Sequence, residues 1–386
     1  MKGQYFYVHD TPHDNYWSAI RHAKEVNAWM ETKVSEFHRS QWESVDVQHV
    51  VGKSVTHWID KKMHWLFENF NNMRLFYSGG TDSQTIMDRA IEHGYKWHNT
   101  HIFGTSITSD HRPLTNEEIN PALDWIAANP HASNHFEVFH PNLQLLENWL
   151  DPEFPFLVPR MHMSFAVRDR IFSTAQWQYK TIDASISGHA KPNLFKDRSN
   201  NWYWFQTHGM CDGTASQPNH IAFYIDGFCP EVAISQVYAL KNYFETNHPT
   251  RTGWCSFANV DNSKKEDLNR ALGRTPALTY KIGAGLLGKG EHSQNSKHLR
   301  LLEEVKQKNR QDLILAWQKQ CQRMIHQFRD VPGAINVHNL PDPLDQNNTM
   351  EFPGHVERIQ WAYKLESDRV VPVDHTEIIE RYNMDL

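Results

Sequence analysis

The sequence predicts an α/β protein, a parallel sheet with helices on its faces and added helical parts at both ends. Three observations carry this. From Arg74 onward short apolar runs alternate with amphipathic stretches. The first run, LFY, passes into SGGTDS and then into a helical pattern that stops at Gly94. A later run ends in a second loop of turn residues, SGHAKPNLF.

Size and composition set the frame. A chain of 386 residues is long for a single core and predicts one large α/β unit with smaller additions. With 39% hydrophobic and 12% aromatic residues and no apolar run near membrane-spanning length, the sequence reads as globular, with no membrane partner. Its first residues, MKGQYFYVHDTPHDNYW, lack the apolar core of a secretory signal, and its 4 cysteines follow no framework pattern, so a cytoplasmic location is expected.

Net charge is -6, unevenly spread. The 263–310 segment holds 11 Lys/Arg against 5 Asp/Glu, an excess of +6 that leaves -12 for the remainder. A basic stretch suits a phosphate-rich ligand, whereas the acidic remainder favours a small-molecule acceptor over a nucleic acid. The 25 histidines are scattered and form neither HExxH nor another metal-ligand spacing.

Taken in order, residues 1–72 read as a helical arm, with amphipathic helices over 16–37 and 50–70. The 73–200 core alternates strand (75–77), helix (83–93), strand (100–103), helix (117–128) and strand (136–139). A helix over 160–173 and a strand over 179–186 follow, ending at SGHAKPNLF. The 201–330 region is expected to be a helical substrate side, with helices at 230–245 and 299–328 around a Gly-rich stretch, YKIGAGLLGKGEH. The proline-rich 331–386 tail reads as extended and wrapped over the body.

The chemistry concentrates in SGGTDS. Gly79 and Gly80 let the backbone turn sharply and bring its N–H groups close to an anion, while the next helix aims its positive end at the same point. Ser78, Thr81 and Ser83 add hydroxyl donors, so the loop can cradle a pyrophosphate. Asp82 can cap the helix and help hold Mg2+ beside the phosphates.

SGGTDS resembles the SGGxDS signature of the PP-loop ATP pyrophosphatases, which split ATP between its α and β phosphates and transfer AMP to a substrate. It differs from a Walker loop, since no GK[ST] follows. Residues 158–195 resemble the part of asparagine synthetases in which a helix leads into a strand and then a loop of the type SGxGxDELF. Ser187, Gly188 and Phe195 keep that frame. Where the family carries acidic residues this loop reads HAKPNL, so Lys191 and Asn193 stand near the expected carboxylates, and a lysine there can neutralise pyrophosphate directly.

The resemblance implies a PP-loop ATP-binding core with ATP and Mg2+ as cofactors and Asp82 as a catalytic group and metal ligand; Lys191, where the loop departs from the family, is expected as a second catalytic group. The resemblance also implies adenine beside the second strand, near Phe103, Gly104 and Thr105. The glycines around Lys289 would let that lysine, or its rival Lys281, fold over the phosphates. Lys2 stands where a glutaminase would carry its cysteine, so nitrogen is expected from ammonia, a substrate amine or a separate donor protein. The reaction class implied is an adenylating ligase. Its rivals are sulfur transfer or sulfonucleotide reduction through Cys211 and Cys229, the latter at a helix start that can lower a thiol pKa, and a nucleotide-binding subunit without turnover.

Overall fold

Regular backbone patterns in the sequence resolve into three packed parts. The computed structural model describes residues 4–13, 16–34, 36–103, 119–139, 143–149, 163, 182–188, 192–205, 220–257, 260–275, 294–345, 347–355 and 362–374.

The N-terminal part is not wholly helical. β1 (Gln4–Val8) pairs antiparallel with β2 (Thr11–His13) and β3 (Met30–Val34), and α1 (Tyr16–Val26) lies between them in sequence. The 16–37 stretch therefore divides into helix, strand and the start of α2 (Glu36–Glu43), with Asn27 at φ 49 turning the chain out of α1. The expected helix over 50–70 is likewise two, α3 (Val47–Val51) and α4 (Val55–Asn69). Asp46 and Ser54 cap them by accepting from the backbone N–H groups of His49 and His57.

The central part is the expected sheet. β4 (Met73–Phe76), α5 (Thr81–Glu92), β5 (Trp97–Phe103), α6 (Ile119–Ala128), β6 (Ser133–Phe139), α7 (Leu143–Trp149) and β7 (Ala184–Ser187) follow in order. β8 (Asn193–Lys196) and β9 (Trp202–Phe205) leave this sheet, and β10 (His220–Ala222) returns to it. Its order is β10-β7-β4-β5-β6 and every pair is parallel. Chain direction across the sheet reverses at the β4/β7 boundary, the switch point at which such sheets open a crevice beyond the strands' carboxyl ends.

A parallel sheet covered on both faces is ordinarily apolar throughout. Here one face carries Leu75, Thr100, Ile102, Ile186 and Ile221, whereas the alternate positions place Arg74, Asn99, His101, Ser185, Ser187 and His220 on the other beside Phe76 and Trp97, all buried. His101 Nε2 lies 3.3 Å from the Glu137 carboxylate, yet burial and the nearby Arg74 charge pull its pKa down to about 2. This face of the sheet holds neutral imidazole at physiological pH.

The 201–330 region is mixed rather than helical. α8 (Pro230–Asn247), with Pro230 at its first turn, packs on α4 and α3. β11 (Gly253–Cys255) joins β8 and β9 in a second sheet, and α9 (Lys265–Ala271) follows. The expected helix over 299–328 is broken into α10 (Gln294–Gln307) and α11 (Gln311–Phe328), with Asn309 at φ 55 between them. The tail is stranded. β12 (Ile335–Pro341) and β13 (Thr349–His355) form a hairpin whose Phe352 stacks on Trp317 of α11 at 4.9 Å, and β14 (Ala362–Leu365) with β15 (Val370–Val373) completes the sheet β11-β8-β9-β14-β15. Among the described residues no helix is long and apolar enough to cross a membrane. The expected helix over 160–173 lies outside the described residues except at Met163, which packs in the core formed by α1, α10 and α11.

His38 of α2 joins the helical layer to the sheet, accepting at Nδ1 from the Gly227 N–H at 2.6 Å. Burial first, and the Lys62 charge, pull its pKa down to about 4, against about 6.5 for an unhindered histidine. The unfolded chain then binds this proton at higher pH than the folded one, so stability falls as pH drops from about 6.5 to about 4, by about 3 kcal/mol in total. Denaturation followed over that range is expected to show this slope added to that of His101, and a His38→Gln variant to lose the His38 share, about half of the combined slope. An unchanged slope in that variant would exclude His38 as a source.

Candidate functional site

The site grows from the end of β4. Tyr77 keeps the sheet direction, donating its N–H to the His101 carbonyl at 2.8 Å, and Gly79 at φ 68 then turns the chain. Only glycine adopts that φ without strain. Gly80 is the N-cap of α5 in extended conformation with no side-chain cap, and the first helical bond runs from Gln84 N–H to the Gly80 carbonyl at 2.8 Å. Amides of the first helical turn have no acceptor within a helix and face outward from its end. The turn is locked by serines. Ser83 Oγ accepts from the Ser78 N–H at 3.1 Å and lies 3.2 Å from Ser78 Oγ, which accepts from the Gly80 N–H at 3.3 Å.

The second loop meets this turn. A Cβ placed on Gly188 would lie 3.0 Å from both the Asp82 carbonyl carbon and the Ser83 nitrogen, so the chain passes directly over the first turn of α5. Ser187, one residue earlier, is held from two sides: its carbonyl accepts from the Phe223 N–H at 2.9 Å, and its hydroxyl lies 2.8 Å from His220 Nε2. The β4 and β7 ends thus bring Ser78, Gly79, Gly80, Thr81, Asp82, Ser83, Ser187 and Gly188 together at the switch point. Phe103 ends the neighbouring strand β5. Gly104, Thr105, Lys191, Lys281 and Lys289 lie outside the described residues, and Asn193 opens β8 in the second sheet.

Sequence reasoning missed the partners behind the loop. Arg274, 192 residues from Asp82, pairs with its Oδ1 and donates from Nη2 to Gln236 Oε1 at 3.0 Å. Its guanidinium carbon sits 4.1 Å from the Tyr224 ring centre, and the Tyr224 hydroxyl donates to the Asp82 carbonyl at 2.8 Å. Thr275 adds a clamp, its N–H donating to Thr85 Oγ1 at 2.9 Å, while Thr85 Oγ1 donates to the Thr81 carbonyl at 2.7 Å. Burial pushes the Arg274 pKa down to about 9, which leaves it charged at neutral pH. The one sequence signal was its place in the basic 263–310 segment.

Mg2+ demands oxygen ligands and commonly keeps one or two carboxylates plus substrate phosphates. Among the described residues no group of three or more His, Cys, Asp or Glu is placed to hold a metal. Asp82, its side chain 25% exposed, is the carboxylate of the loop, so the residues present fit an ion carried in mainly by phosphates.

Cys229 does not behave as the helix-start position suggested. It is buried at the N-cap of α8, and burial raises its pKa to about 12. Desolvation outweighs the helix dipole there. Cys255 and Cys321 are buried as well, and Cys211 lies outside the described residues.

No protein-family model matches this chain, and no curated protein sequence matches it. What the site can do follows from its own geometry.

Proposed function

We propose that this protein is an ATP-dependent adenylating enzyme built on a PP-loop core, similar in its chemistry to the synthetase half of asparagine synthetases. The observation that carries the reading is the convergence of SGGTDS and Ser187–Gly188 at the β4/β7 switch point, where the start of α5 and the hydroxyls of Ser78 and Ser83 lie beside the carboxyl ends of two parallel strands.

In this reading the first turn of α5, with Ser78 and Ser83, holds the phosphates of ATP. Asp82 would be the loop carboxylate that holds Mg2+, and the chemistry that ion would supply there is neutralisation of phosphate charge. A carboxylate or carbonyl oxygen of a small-molecule acceptor attacks the α-phosphorus, and the bond to the bridging oxygen breaks, so pyrophosphate leaves with that electron pair. Ammonia or an amine then attacks the activated carbon and displaces AMP. Protein catalysis rests on alignment and on fixed donors aimed at the developing charge.

The buried thiol of Cys229 argues against sulfur transfer through that residue. The experiment is a screen of carboxylate and carbonyl acceptors for release of AMP together with pyrophosphate. Ser83→Ala is expected to lower the rate by about 10²-fold, as loss of one aligned donor does elsewhere, and Cys229→Ser to leave it unchanged. Full activity in the Ser83 variant would sink the adenylation reading, whereas loss in the Cys229 variant would restore the thiol route. ATP binding without turnover against every acceptor would favour a nucleotide-binding subunit.

A further inference from the structure

The phosphate cradle carries a negative charge of its own. Asp82 lies in the first turn of α5, where amides and helix dipole otherwise favour an anion, and a carboxylate free to swing toward a bound triphosphate would repel it. The structure holds this residue from behind. Arg274 takes Oδ1, Tyr224 takes the backbone carbonyl, and Gly188 packs against the peptide that follows.

The guanidinium is itself constrained. Its residue is 4% exposed, it rests on the Tyr224 ring, Gln236 accepts from Nη2, and Thr275 fastens the next residue to α5. Burying a full positive charge here is costly unless a negative one is matched to it. Tyr224 alone would serve to pin the Asp82 backbone. The charge on Arg274 answers the charge on Asp82.

Resting on the ATP reading above, we propose that Arg274 is a positioning residue that sets the charge of the phosphate cradle: its pairing with Asp82 offsets the charge that the carboxylate presents to bound phosphates. The crevice then offers amides and hydroxyls to the triphosphate with no net repulsion from the loop. Affinity for metal-free phosphate chains accordingly follows the sum of the two charges rather than either residue alone.

Calorimetric titration in EDTA tests this, with metal-free ATP and inorganic tripolyphosphate as probes, on wild type, Arg274→Met, Asp82→Asn and the double variant. Arg274→Met is expected to bind both probes about tenfold more weakly, because the Asp82 carboxylate then lacks the guanidinium charge beside it. Asp82→Asn is expected to bind them about tenfold more tightly, and the double variant to return to within about threefold of wild type. That recovery separates charge from packing, since the double variant lacks the same guanidinium contacts to Tyr224 and Gln236. A double variant as weak as Arg274→Met overturns the inference, as does an Arg274→Met protein that binds like wild type. If Arg274→Met does not fold, Asp82→Asn decides: unchanged affinity for metal-free ATP overturns the inference. Failure of the wild type to bind ATP with or without Mg2+ would instead overturn the ATP reading beneath it.

Discussion

A Gly188→Val protein is expected to lose affinity for MgATP by about two orders of magnitude while keeping its secondary structure. The reason is local and steric. The atoms that a Cβ would meet at 3.0 Å are the Asp82 carbonyl carbon and the Ser83 nitrogen, both backbone, in the turn proposed to align the phosphate donors. A flexible side chain would move aside at little cost. Backbone at the start of a helix cannot, because Gln84 N–H is bonded to the Gly80 carbonyl and Ser83 Oγ donates back to that same carbonyl at 3.3 Å. Either β7 shifts away from β4 at its end or the first turn of α5 rotates, and misplacement by about 1 Å is enough to cost about 10²-fold at a site that works by alignment. A fluorescent ATP analogue displaced by MgATP measures the loss, with far-ultraviolet circular dichroism as the check on folding. Gly188→Ala should fall between the two. Wild-type affinity in the valine variant would mean that the second loop does not shape the phosphate site.

Lys62→Met is expected to destabilise the protein by about 3–5 kcal/mol. Lys62 of α4 and Asp226, just beyond β10, form an ion pair with side chains 0% and 2% exposed. Lys62 Nζ also donates to the Phe223 carbonyl and lies 4.9 Å from the Phe223 ring centre, while Asp226 Oδ1 accepts from the Phe228 N–H at 2.8 Å. Among the described residues each is the other's counter-charge. Removing the lysine leaves a carboxylate in the core with one backbone donor and no counter-charge, which is the costly case. Lys62→Met combined with Asp226→Asn keeps the acceptor for Phe228 and removes the orphaned charge, so it should recover at least about half of the loss. Shifts in urea midpoint at pH 7 report both. A cost below about 1 kcal/mol in the single variant would show the pair to be wetter than its burial indicates. The pair also bears on the site, because Phe223 N–H holds the Ser187 carbonyl next to Gly188.

Legibility in the sequence followed the range of the interactions. SGGTDS was readable because two glycines, hydroxyls at fixed offsets and a 3.6-residue period all act within about two helical turns. The helix boundaries suffered where a single residue in left-handed conformation cut a continuous amphipathic pattern, as Asn27 and Asn309 do. An asparagine inside a helical period gives no strong local warning. Strands β8, β9 and β11 were hidden in another way. Their pairing partners, including β14 from the tail, lie far along the chain, and short aromatic runs such as WYWF fit a strand or a buried turn equally well.

By itself the sequence determined the strand, turn and helix around SGGTDS and the α/β alternation that follows, since backbone torsion preferences and side-chain period are properties of a few neighbouring residues. The tertiary structure alone decided that Gly188 lies on the first turn of α5, that one face of the parallel sheet buries a group of polar side chains, and that Asp82 is paired with a buried arginine 192 residues away. Those are consequences of desolvation. Removing a charge from water forces it to find a partner in space, and the identity of that partner depends on which elements pack together rather than on any local spacing.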